Sequence, residues 1–68
     1  MNIATRIESV CTKVLNKKKE FSAERKRIDD RSVFLKMAKR DRDSLDRYLE
    51  DMCRSDNIKP ETIRAILR

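Results

Sequence analysis

The chain has 68 residues, of which 44% are Asp, Glu, Lys or Arg and 38% are apolar, with a formal net charge of +6 and neither histidine nor glycine. That length allows one domain, 1–68, which alone buries only about 60% of the surface its unfolded chain exposes, so partners are expected to help it. No apolar run approaches the ~20 residues of a membrane-spanning helix, and Met1 to Leu15 is interrupted by Arg6, Glu8 and Lys13 where a signal peptide needs a continuous apolar stretch, so no membrane partner and a cytoplasmic location are expected.

Asn2 can cap a first helix, since its side-chain oxygen can accept one of the N–H groups that an opening turn leaves without a partner. Ile3, Ile7, Val10, Cys11, Val14 and Leu15 follow at helical spacing on one face. The stripe thins from Asn16 to Glu20 and resumes with Phe21 and Ile28, which predicts a helix over about 3–28. Ser22, with Glu24 in its first turn, offers one break, and Asp29-Asp30-Arg31-Ser32 offers another that caps a helix beginning near Val33. Val33, Phe34, Leu35, Met37 and Ala38, then Leu45, Tyr48, Leu49, Met52 and Cys53, carry the pattern on. They predict one helix, or two with the second starting near Asp43 or Ser44, over about 32–55. Asp43 with Arg47 and Glu50 with Arg54 are spaced to form i,i+4 ion pairs along it.

Folding the chain about residues 31–32 sets Val14 near Leu49 and Val10-Cys11 near Met52-Cys53, apolar against apolar, in an antiparallel hairpin. Ile7, Val14, Phe21, Ile28, Leu35 and Leu49 also fall on a heptad repeat interrupted by Arg42, a coiled-coil-like seam for helix packing or an oligomer interface. Lys17, Glu24 and Arg31 occupy the companion row and argue against a long two-stranded coil. A continuous helix that dimerises stays open, because nothing at Asp29 to Ser32 forbids helical dihedrals. The fold class is all-α, a helical hairpin or three-helix arrangement with a short C-terminal helix, expected to be dimeric.

Arg54-Ser55-Asp56-Asn57 ends the long helical region, and Asn57 can enter the left-handed conformation in a chain without glycine. Ile58 supplies an apolar plug, Pro60 suits the first turn of a helix, and Glu61 favours its positive end. A short helix over 60–68 follows, with Ile63, Ile66 and Leu67 expected inside and Lys59, Glu61, Arg64, Ala65 and Arg68 on the wet side. Residues 45–68 resemble a helix-turn-helix DNA-binding motif, in which a Gly-Val-Ser-Pro-Ser-Thr-Val type segment opens the recognition helix. On that resemblance Asn57 stands at the glycine, Ile58 at the turn hydrophobe and Thr62-Ile63 at the Thr-Val. Met52 and Cys53 become the apolar and small residues that let two helices approach. Asp56 departs from the pattern, which has an apolar residue before the glycine. The resemblance implies that Lys59, Arg64 and Arg68 meet DNA.

The first 28 residues hold eight basic and three acidic side chains, residues 29–58 seven and eight, and residues 59–68 three and one. Along the sequence the positive charge therefore sits at both ends, and Lys17, Lys18 and Lys19 add nonspecific attraction for a polyanion. Without histidine there is no imidazole base, and without glycine there is no glycine-dependent phosphate loop, so no enzyme is expected. Asp29-Asp30, Asp41 with Asp43, and Glu50-Asp51 sit among cations and serve as ion-pair partners. Cys11 and Cys53, with no histidine, do not make a common zinc site and are expected as buried reduced thiols, with no metal and no cofactor. Phe21, Phe34 and Tyr48 are expected to pack rather than stack on bases. The leading expectation is a small regulator, in the style of phage or plasmid accessory proteins, that binds nucleic acid. The competing one is a helical module that docks its apolar face on a larger protein.

Overall fold

The computed structural model describes residues 2–68. Helix α1 spans Ile3–Arg25, α2 Arg31–Ser55 and α3 Pro60–Leu67. The body measures 45 × 19 × 16 Å, as expected of two long helices lying side by side. Among the described residues no helix is long and apolar enough to cross a membrane.

Asn2 opens α1 by accepting the Thr5 N–H on its Oδ1 at 2.8 Å. The helix stops at Arg25 instead of running to 28, because the last turn tightens: the N–H groups of Arg27 and Ile28 donate to the carbonyls of Glu24 and Arg25 at 3.3 and 3.0 Å. The break itself is made by Asp30, whose Oδ1 accepts the Ser32 and Val33 N–H groups at 2.9 and 3.2 Å. This cap starts α2 at Arg31 and rules out the continuous helix. Ser22 lies inside α1, and Asp43-Ser44 lies inside an unbroken α2.

The second corner is a Schellman motif. Asn57 takes φ 56°, its N–H donates to the Arg54 carbonyl at 3.3 Å, and the Ile58 N–H reaches back to the Cys53 carbonyl at 2.8 Å. This turn drives Ile58 into the core, and Pro60 then starts α3. Asp56, the charged residue in an apolar slot, sits at the C-cap with its carbonyl accepting a 3.2 Å bond from Arg6 of α1.

The core lies where all three helices meet. Val10 and Val14 of α1, Leu49 and Cys53 of α2, Ile58 of the corner and Ile63 of α3 form one buried cluster, with Ile7, Cys11, Leu45, Tyr48, Met52 and Leu67 packed around it. The apolar match between the two ends of the hairpin is present, although the turn lies at residues 26–30 and not at 31–32. The heptad seam holds only in part. Val14 and Leu49 are buried, Ile7, Phe21 and Ile28 are half-buried, and Leu35 is 55% exposed. The reason lies in the offset of the helices: Arg25, at the end of α1, bonds Asp41, about three turns into α2. The first turns of α2 therefore extend beyond α1, which reaches them only through the Arg25 side chain over Phe34.

In α3, Ile63 is fully buried and Leu67 half-buried, but Ile66 is 55% exposed, contrary to its expected place inside. Ile63, Arg64 and Leu67 point toward the hairpin, and Ile66 stands about 100° around the helix from Leu67, on the outward side.

Because Asn57 carries the left-handed conformation, Asn57→Val is expected to lower stability by about 1–2 kcal/mol, while Asn57→Gly leaves it unchanged or raises it. Urea unfolding followed by circular dichroism reads both.

Candidate functional site

The six cations expected to touch nucleic acid have different surroundings. Arg64 is turned onto α2, where its Nη2 lies 2.9 Å from Asp46 and 3.0 Å from Glu50, with Glu61 of its own helix 3.6 Å from Nη1. Asp46 and Glu50 are four residues apart and so share one face of α2. The Asp46 and Glu50 hydrogen bonds hold the guanidinium still more firmly protonated than usual. Glu50 is thereby engaged by α3, and Arg54 pairs with Asp51 at 3.7 Å in place of the expected Glu50. Lys17 is engaged as well: its Nζ lies 3.8 Å from Glu20 and 5.6 and 5.7 Å from the centres of the Phe21 and Tyr48 rings. Lys18, Lys19, Lys59 and Arg68 are exposed and have no carboxylate partner among the described residues.

Sequence reasoning missed the pair between Arg25 and Asp41. The Arg25 Nη1 is 2.7 Å from the Asp41 Oδ2, and the guanidinium lies 5.8 Å from the centre of the Phe34 ring. Asp41 is the one buried charged residue among those described, and burying its carboxylate without this partner would be costly. No local signal marks it, since the two residues come together only once the hairpin closes.

Folding also redistributes the charge. The part of the hairpin away from the core, residues 16–45, holds eleven basic and six acidic side chains, whereas the rest of the chain holds seven and six. Most of the net charge thus lies on this arm instead of at two ends. Lys26, Arg27, Arg31, Lys36, Lys39 and Arg40 are all exposed there and have no carboxylate partner among the described residues. By contrast, the outward face of α3 presents Glu61, Thr62, Ala65 and Ile66, with cations only at its two ends.

A groove of about 280 Å³ runs between the three helices beside the core. Val14, Leu15, Leu45, Leu49 and Leu67 make an apolar floor, and Lys18, Arg42, Arg64, Arg68 and Asp46 stand around it. Both cysteines are free thiols, Cys11 half-buried and Cys53 fully buried, and no group of three or more potential metal ligands gathers among the described residues.

Comparison of the chain with protein-family profiles, curated proteins and solved structures yields no match.

Burial raises the Cys53 thiol pKa above its ordinary value, with the nearby Arg64 charge pulling weakly the other way. The unfolded chain therefore loses this proton first, so Cys53 adds stability at neutral pH that is lost as pH rises through the thiol range. Urea unfolding at about pH 7 and about pH 10 is expected to give lower stability at the higher pH, and Cys53→Ala to narrow that difference. Under native conditions iodoacetamide is expected to label Cys11 well before Cys53.

Proposed function

We propose that this chain is a non-enzymatic nucleic-acid-binding protein whose basic hairpin arm holds duplex DNA by its phosphates. The observation that carries this reading is the concentration of unpartnered, exposed Lys and Arg on residues 16–45. Exposed cations released from internal ion pairs are the groups that displace counterions from a polyanion, and they do so without regard to sequence.

The corner between α2 and α3 supports the helix-turn-helix resemblance in its local geometry, through buried Cys53, left-handed Asn57 and buried Ile58 and Ile63. The electrostatics of α3 favour a different division of labour. Arg64 braces α3 against α2, and phosphates brought to the outward face of α3 would meet Glu61 and find cations only at the two ends of the helix. Lys59 and Arg68 flank the duplex, and Lys18 and Lys19 join the arm. Dimerisation is part of the proposal: Val33 and Leu35, 46% and 55% exposed on the overhanging turns of α2, are the apolar surface that a second copy would cover.

Replacing Lys36, Lys39 and Arg40 together by alanine is expected to weaken binding to duplex DNA and to lower the slope of log affinity against log salt by about 2–3, near the ~0.9 expected for each lost phosphate contact. Lys59→Ala with Arg68→Ala is expected to have the smaller effect. Loss of affinity in the second variant with none in the first would return recognition to α3. Absence of DNA binding at low salt would end the proposal.

A further inference from the structure

We infer that the groove between the three helices is a docking site for an acidic amphipathic helix of a partner protein, with an aliphatic floor that the DNA-binding arm does not use and a rim that shares Lys18, Arg42 and Arg68 with the DNA-binding surface. The floor is formed by aliphatic side chains from every helix, including Leu15, which is 42% exposed although it belongs to the apolar stripe of α1. Leu15 is the exposed member of this floor, Leu45 and Leu67 are half-buried and Val14 and Leu49 buried, so a partner side chain seated on Leu15 would continue the core outward. At about 280 Å³ the space lies just below the range that encloses a small-molecule ligand. It suits a few side chains delivered by a helix at the i, i+3, i+4 and i+7 positions.

Charge selects among occupants. Arg64 is neutralised by Asp46 and Glu50, but Lys18 of α1, Arg42 of α2 and Arg68 at the end of α3 have no carboxylate partner among the described residues. They surround the aliphatic floor from three helices, so a helix with leucines on one face and Asp or Glu beside them satisfies both floor and rim. A second copy of this chain is a poor fit in this groove, since its exposed Val33 and Leu35 lie between Arg31 and Lys36, which would bring cations and not carboxylates to the rim. Nucleic acid suits the rim but not the floor, which has no aromatic side chain to stack a base.

The test uses fluorescence anisotropy of a labelled helical peptide of about 18 residues, long enough to hold a helix, with leucines at i, i+3, i+4 and i+7 and glutamates flanking them. A second peptide keeps the leucines and carries lysine in place of glutamate. The glutamate peptide is expected to bind the full chain, and the lysine peptide at least ten-fold more weakly. Leu15→Glu, at an exposed position, is expected to weaken binding of the glutamate peptide at least ten-fold, and Lys18→Glu with Arg42→Glu to weaken it comparably. Circular dichroism checks that each variant keeps its fold. The alanine variant at Lys36, Lys39 and Arg40, whose residues lie off the groove, is expected to bind the peptide as the parent does. Equal binding of the two peptides, or binding unchanged in Leu15→Glu, would overturn the assignment. Loss of DNA binding in the arm variant with peptide binding intact separates the failure of either proposal from the other.

Discussion

At the end of α2 the chain reverses through a backbone corner that closes the core and fixes the direction of α3. The bond from the Ile58 N–H to the Cys53 carbonyl does both. It satisfies a carbonyl that the end of a helix leaves open, and it turns the Ile58 side chain back against the helix it has just left. With Ile58 inside, Pro60 starts α3 at an angle that brings Ile63 onto Val10 and Cys53 within one cluster. Take the corner away and the two long helices keep four core side chains, Val10, Val14, Leu49 and Cys53, that Ile58 and Ile63 no longer cover. For a domain of this size, where total stability is only about 0.05–0.15 kcal/mol per residue, that loss is large.

The position of the core governs the rest of the surface. Because the apolar contacts gather at one end, the far half of the hairpin is held by a different kind of interaction, the Arg25–Asp41 pair with Phe34 beside it. Such a pair fixes register more than it adds stability, since desolvating two charges offsets much of their attraction. Apart from Lys17, which pairs with Glu20, the remaining cations of the arm have no acidic partner among the described residues and stay in water. Near the core the opposite holds: acidic residues of α2 face α3 and hold Arg64. Unpaired exposed charge and the buried core thus occupy opposite ends of the molecule, with the apolar groove between them.

Much of this was legible in the residues, and what was not has physical reasons. The cap at Asn2, the plug at Ile58, the left-handed Asn57 and the start at Pro60 depend on local chemistry, which sequence carries directly. The placement of Val10, Val14, Leu49 and Cys53 on facing surfaces follows from periodicity once a hairpin is assumed. The break between α1 and α2 was harder to place, because it rests on one carboxylate, Asp30, among two neighbouring aspartates with no glycine or proline to mark it. Periodicity also assumes that a neighbour is always present. At Leu35 α1 has already ended, and at Ile66 the hairpin lies on the other side of α3, so both stand in water despite their spacing. The engagement of Arg64 was not legible because its partners lie 14 and 18 residues upstream and depend on the corner angle. A cation that reads as free along the sequence is a brace once the chain is folded.

The central claim is this separation of a bracing α3 from a binding arm, and amide chemical-shift mapping of the isotope-labelled protein during titration with duplex DNA tests it most directly. The account predicts shifts concentrated between residues 18 and 42, with residues 61–66 little changed and the Arg64 side-chain signal unmoved. Shifts centred on Glu61 to Ile66, with the arm silent, would contradict it.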